Sequence, residues 1–203
     1  MSNKDTHLSK TLSWLLRHGA TKECLNISSD GYISVREILQ HRSLRGRYNK
    51  EDIERVVATN SKQRFKLRFN NSTNILEIKA NQGHSIQISD DDLIQILEPH
   101  YETVVHGTYY KYWSKIKIEG LSRMKRKHIH FAKGTLNDRN VISGLRQDVE
   151  IYIFIDLTKA LADGILFFES ENGVILTKGN NIGFLEPKYF WKVIDRRTGA
   201  SLL

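Results

Sequence analysis

In the segment Lys127-His128-Ile129-His130-Phe131-Ala132, strand alternation puts His128 and His130 on one face and Ile129 and Phe131 on the other. Two imidazoles two residues apart on a strand, with His106 as a third, have the donor type of a zinc site. Such a site also needs a further ligand or an open water position, and a carboxylate behind the rings to orient them. None is evident, so no metal is expected. His106-Gly107-Thr108 at a strand end carries a different signal. The glycine permits close backbone approach, and its neighbours can hydrogen-bond a flat amide ligand. The single cysteine, Cys24, excludes an intramolecular disulfide, a multi-Cys zinc site and an iron–sulfur cluster within the chain. Glu23-Cys24-Leu25 offers nothing to make a thiolate, so a half-buried structural thiol is expected. A Rossmann G-x-G-x-x-G after a strand, a P-loop, H-E-x-x-H and G-x-S-x-G are all absent.

The excess of positive charge is concentrated in the first half. The chain has 203 residues and a formal charge of +8. Residues 1–88 hold 15 Lys and Arg against 8 Asp and Glu, while residues 89–203 hold 16 against 15. A basic half joined to a neutral one points to a polyanionic partner for the first and separate chemistry for the second. The densest basic run, Arg42-Ser43-Leu44-Arg45-Gly46-Arg47-Tyr48, reads as a phosphate-contacting loop through Arg45 and Arg47.

The elements that must position these groups follow from periodicity. Residues 5–18 predict an amphipathic helix with Leu8, Leu12, Leu15 and Leu16 on the core face. Thr6, Lys10, Ser13 and Arg17 line the opposite face. Gly19 is expected to end it in a left-handed conformation. Ser34-Val35-Arg36-Glu37 reads as a capping box opening a second helix, and Asn49 as the N-cap of a third that buries Ile53, Val56 and Val57. The period then drops to two. Phe65, Leu67 and Phe69 alternate with Arg64, Lys66 and Arg68, and Leu76, Ile78 and Ala80 return as the partner strand after a turn at 70–74. Residues 89–103 are expected to be a linker, with a short helix starting at Asp90-Asp91-Asp92 and ending at Pro99. Strands are expected at 104–108, 127–132, 149–156, 165–168, 174–177 and 190–194, with a helix at 111–118 that stops at Gly120. The fold class is α+β: a helical lobe with a hairpin wing over 1–88, and a mixed β lobe over 104–203.

The chain resembles the Tpt1/KptA family of RNA 2′-phosphotransferases. The resemblance runs in order through Leu15-Leu16-Arg17-His18-Gly19, Asp30-Gly31-Tyr32, Lys62-Gln63-Arg64-Phe65 and Ala80-Asn81-Gln82-Gly83-His84-Ser85. It continues through His106-Gly107-Thr108, His128-Ile129-His130-Phe131-Ala132, Ile142-Ser143-Gly144-Leu145-Arg146 and Ser170-Glu171-Asn172-Gly173-Val174. It implies an N-terminal winged-helix RNA lobe and a C-terminal NAD lobe of the ADP-ribosyltransferase fold. It implies an NAD-dependent transfer of an internal RNA 2′-phosphate through an RNA-phospho-ADP-ribose intermediate. The products are 2′-hydroxyl RNA, nicotinamide and ADP-ribose 1″,2″-cyclic phosphate.

By the same resemblance the catalytic group is Arg17, His18, Arg64 and Arg146. Arginine forks suit phosphate oxygens, and a histidine suits a proton transfer, as acid or as base. Without the resemblance, Arg17 and His18 read as helix-end cations, Arg64 as a solvated strand residue and Arg146 as a loop charge. NAD contacts are implied for His106, Gly107, Thr108 and His130, and for Ser143, Gly144, Ser170, Asn172 and Val174. A motif position that holds glutamate in many protein-modifying relatives falls at Val174. RNA or phosphate contacts are expected at Arg45, Arg47, Lys66, Arg68, Gln82, His84 and Ser85; for the last three a packing role is the alternative. The reaction breaks a glycosidic bond without redox change, so NAD is consumed as co-substrate and no metal is needed. No apolar run is long enough to cross a bilayer. A monomer in the cytoplasm, or in the nucleus of a eukaryote, is the expectation, with tRNA as the RNA. Two other readings use the same residues: an ADP-ribosyltransferase acting on nucleic-acid ends, and a non-catalytic winged-helix nucleic-acid-binding protein.

Overall fold

The computed structural model describes residues 2–138 and 141–203. It is a mixed α+β structure that divides into two compact units, Met1–Asp92 and Leu93–Leu203.

The first unit opens with helix α1 (Asn3–Trp14), capped reciprocally by Ser2 and Asp5: the Ser2 hydroxyl accepts from the Asp5 N–H and the Asp5 carboxylate from the Ser2 N–H. The helix does not end in a left-handed glycine as expected. It loosens instead into one π-helical turn, Leu15–Gly19, closed by Ala20 N–H on Leu15 C=O at 2.9 Å. Gly19 is needed for a different reason: a Cβ there would lie 2.7 Å from the Trp14 ring. Strand β1 (Ile33–Ser34) precedes α2 (Val35–Gln40). The capping box expected at Ser34 does not form, because Glu37 is taken by the backbone and side-chain amides of Asn26. Helix α3 (Lys50–Thr59) is capped by Asn49 as read, with Asp52 answering. Strands β2 (Phe65–Phe69) and β3 (Leu76–Ala80) pair antiparallel with Phe65 opposite Ala80, and β1 adds to the far edge of β3. Leu8, Leu12, Leu15 and Leu16 pack with Ile38, Ile53, Val56, Phe65 and Ile78 into one core. Cys24 is exposed, at φ 55°, rather than half-buried, since it turns the chain out of the π segment toward Leu25.

The second unit begins where a linker and short helix were expected. Ile94–Ile96 forms strand β4 and pairs with β9 (Phe167–Glu169), because Ile94-Gln95-Ile96 can complete an open strand edge. Strand β5 (Val105–Thr108) leads to helix α4 (Tyr110–Glu119), then β6 (Leu121–Ser122), β7 (Ile129–Phe131), β8 (Ile151–Ile155) and helix α5 (Leu157–Ala162). Strand β10 (Ile175–Thr177) lies between β9 and β7, β11 (Phe184–Leu185) pairs β6, and β12 (Phe190–Asp195) pairs β8, which pairs β5. A bridge of two backbone hydrogen bonds between Val105 and Ala132, each 2.9 Å, joins β5 to the end of β7. Ile129 and Phe131 enter the core with Phe167, Ile175 and Ile153. Their alternation leaves His128 and His130 on the other face, as the sequence requires. Among the described residues, no helix is long and apolar enough to cross a membrane.

Candidate active site

In the first unit an open cleft of about 440 Å³ runs along the polar face of α1. Arg17, His18 and Arg64 line it with Lys10, Trp14 and the hydroxyls of Thr6, Ser9 and Ser13. No carboxylate belongs to this lining. Arg17 and His18 sit in the π turn, whose wider winding changes the angular phase of the side chains that follow it. The chain after β3 then crosses behind them. Ser85 N–H donates to Arg17 C=O at 2.9 Å, and Ser85 Oγ bonds His18 Nδ1 at 2.9 Å. Gly83, at φ +90°, lies against the Arg17 side chain.

Arg64 is placed by the end of α3. Asn60 is buried and stops the helix; Gln63 turns the chain at φ 44° and donates its N–H to Asn60 C=O at 2.8 Å. The Asn60 Oδ1 then accepts from both the backbone N–H and the Nη1 of Arg64, each at 3.2 Å, while its Nδ2 donates to Ser9 Oγ at 3.3 Å. A neutral amide therefore orients the guanidinium without discharging it. Burial disfavours the Arg64 charge, and burial followed by Arg64 itself disfavours that of neighbouring Lys62. An anion beside Arg64 would favour its charged form.

Several other cations of this unit are spent on carboxylates. Arg55 meets Asp5 at 2.8 Å and Asp52 at 2.6 Å, Arg42 meets Glu23 at 3.1 Å, and Arg68 meets Asp30 at 2.6 Å and Glu77 at 2.9 Å. Arg68 also lies over the Tyr32 ring, 3.5 Å from its centroid.

In the second unit, His106 on β5 bonds the backbone carbonyl of His130 through Nδ1 at 2.8 Å, which makes that nitrogen the donor. Its ring meets the Phe131 ring edge-on. Gly107 carries no Cβ because Val149 and Leu145 occupy that space, at 2.7 and 2.9 Å from where one would be. Gly144 is at φ +102°, where a Cβ would lie 2.8 Å from the Phe131 carbonyl. These two close approaches dock the 143–146 loop onto β5 and β7, which brings Arg146 to His106. Burial, and then the charges of Arg146 and Arg126, hold the His106 imidazole below its ordinary range; its bond to His130 opposes them. Arg126 is likewise pulled down by desolvation and by Arg146. Neither arginine meets a carboxylate among the described residues; Arg146 lies 5.7 Å from the Tyr109 ring centroid. Two cations and a neutral imidazole make a site for an anion with a polar, flat neighbour. No group of three His, Cys, Asp or Glu able to hold a metal occurs among the described residues.

The sequence-named residues thus fall into three sets. Arg17, His18, Arg64 and Ser85 gather at the cleft; His106, Gly107, His130, Gly144 and Arg146 gather in the second unit. The rest lie elsewhere. Ser170, Asn172 and Val174 bond one another: Ser170 Oγ donates to Asn172 Oδ1 at 2.9 Å and accepts from the Val174 N–H at 3.2 Å, and all three are buried. That is a turn holding β9 to β10. Ser143 and Thr108 are buried. Arg45 and Arg47 are exposed, Lys66 and Gln82 half-buried, and none lines the cleft. His84 is buried beside Gly31, and the loop aromatic Tyr48 is tied to α1 through His7 Nδ1 at 2.9 Å. Lys10, Trp14, Asn60 and Arg126 were not singled out from the sequence. The spacing of Lys10 to Arg17, two turns of helix, carried the signal for the first; nothing local marks the others.

A family model described as RNA 2′-phosphotransferase, Tpt1/KptA family, matches residues 3–179. The chain is similar to tRNA 2′-phosphotransferase 1 of Danio rerio, 49% identical over 191 residues, covering 93% of this chain and 84% of that protein. It is 47% identical over 197 residues to tRNA 2′-phosphotransferase 1 of Homo sapiens, covering 96% and 78%. A probable RNA 2′-phosphotransferase of Rhizobium johnstonii is 31% identical over 183 residues, covering 89% and 93%.

Proposed function

Since the chain belongs to the Tpt1/KptA family of RNA 2′-phosphotransferases, we propose that it transfers an internal RNA 2′-phosphate, with tRNA as the substrate, to NAD as co-substrate. The first unit acts as a winged-helix RNA lobe, α1 to α3 with the β2–β3 hairpin as wing. The second acts as an ADP-ribosyltransferase-type NAD lobe working as a cytoplasmic monomer, or nuclear in a eukaryote. The observation that carries this reading is the cleft where Arg17, His18 and Arg64 meet without a carboxylate.

The residues divide the work by their chemistry. The guanidinium forks of Arg17 and Arg64 hold the dianionic 2′-phosphate, and Asn60 keeps Arg64 aimed before the ligand arrives, so little reorganisation accompanies the reaction. His18 has its Nδ1 on Ser85, so Nε2 is the atom that holds or moves the proton. In the second unit, Arg146 and Arg126 suit a diphosphate, and the buried neutral His106 stands on the strand end that takes the nicotinamide amide. Bound NAD supplies the electrophilic ribose carbon and nicotinamide as leaving group. Val174 is buried and cannot activate an acceptor, and a phosphate needs no such activation.

The test is incubation with a short RNA bearing one internal 2′-phosphate, with and without NAD, and mass spectrometry of both products. Phosphate loss only with NAD, together with ADP-ribose cyclic phosphate, is the expected result. ADP-ribosylated RNA that persists would assign an ADP-ribosyltransferase, and no NAD turnover a binding protein.

A further inference from the structure

The cleft is longer than one phosphate needs. Thr6, Lys10, Ser13 and Arg17 follow at helical spacing along α1, and all four line it. Lys10 lies two turns before Arg17, about 10 Å along the axis, beyond the group that Arg17, His18 and Arg64 hold together.

Three features separate this stripe from an ordinary solvated helix face. Lys10 is exposed and meets no carboxylate among the described residues, whereas Lys4, six residues earlier on the same helix, is paired with Asp52 at 3.2 Å. The lining between Lys10 and Arg17 is hydroxyl and indole, with Ser13 half-buried and Trp14 41% exposed across Gly19. The acid on this helix and one on the helix packed against it are already engaged: Asp5 by Arg55 and the Ser2 cap, Asp52 by Lys4, Arg55 and the Asn49 cap. The face is therefore a continuous anion-attracting track rather than a mixed-charge surface. A repeating polyanion matches it; a single small anion does not.

We propose that Lys10, with the Ser13 and Thr6 hydroxyls, binds the phosphodiester backbone of the RNA flanking the modified nucleotide. The contact reads the RNA strand, not the 2′-phosphate. This deepens the proposed function by giving the substrate a second, separately measurable contact.

The test is equilibrium binding, by fluorescence anisotropy, of two labelled RNA hexamers identical but for one internal 2′-phosphate. Lys10→Ala is expected to weaken both hexamers by a similar factor, about three- to tenfold, and to reduce the salt slope of binding by about one. Lys10→Arg restores both. Lys115→Ala, which removes an ammonium already facing Glu119 on α4, is the control and leaves both unchanged. Arg64→Ala removes only the preference for the 2′-phosphorylated hexamer. If Lys10→Ala weakens neither hexamer, or only the phosphorylated one, the backbone contact is overturned. If the wild type binds both hexamers equally but Lys10→Ala still weakens them, 2′-phosphate recognition fails and the backbone contact stands. If the wild type binds neither, both fail.

Discussion

Arg64 and Arg68 are four residues apart on one hairpin, and strand alternation alone puts them on the same basic face. The fold separates them. Arg68 projects between Asp30 and Glu77 and over the Tyr32 ring, so its charge is neutralised and its fork filled. Arg64 is oriented by the neutral amide of Asn60, and its charge is disfavoured by burial. One cation is part of the scaffold; the other, on the proposed function, is held ready for the substrate phosphate. The carboxylates also gain from their assignment, since Arg55 holds Asp5 and Asp52 below the usual range. A cleft free of acid is the consequence of these pairings.

The sharpest way to break this comparison is to delete each arginine in turn. Arg64→Ala is expected to cut single-turnover 2′-phosphate transfer by about 10³-fold with an unchanged melting temperature. Arg68→Ala is expected to leave the rate within a few-fold and lower stability by about 1 kcal/mol, a partly exposed network being worth no more. Comparable losses of rate in both variants would remove the distinction.

Asn60→Asp turns the first environment into the second. A carboxylate 3 Å from Arg64 competes with substrate phosphate, and kcat/KM for the RNA is expected to fall by about ten- to a hundredfold. The loss grows no smaller with added NAD, since the affected group faces the RNA.

Gly19→Ala sharpens the role of the cleft wall. The new Cβ displaces the Trp14 ring, costing about 1–3 kcal/mol of stability by overpacking and raising the KM for RNA; urea unfolding with steady-state kinetics reads both.

The smallest effect contrasts the two units by pH. His106 is pushed down by burial, so it is neutral in the fold and takes up a proton in the unfolded chain below about 6.5. The unfolded state then binds more protons, and stability is lost as pH falls through that value and is flat above it. His106→Asn is expected to flatten denaturation midpoints between pH 7 and 5.5. The depressed carboxylates Asp5 and Asp52 stabilise above about pH 4 and lose that contribution only as acid is added beyond it.

Periodicity reached the leucine stripe of α1, the Asn49 cap, the β2–β3 hairpin and the shared face of His128 and His130 opposite Ile129 and Phe131, because each depends on neighbours within a turn or a pleat. It missed where partners come from afar. The Ser34 box fails since Glu37 answers Asn26 across 11 residues. Residues 94–96 become a strand because β9 offers an edge more than 70 positions later.

What the sequence determined by itself was the inventory: a basic first half, histidines on one strand face, a polar stripe opposite a leucine stripe, and an ordered set of motifs. What only the tertiary structure decided was which cations remain available. Charge is a property of a residue, but neutralisation is a property of a pair. Asp30 and Arg68, or Asp5 and Arg55, are 38 and 50 residues apart and meet only when the core of the first unit brings their elements together.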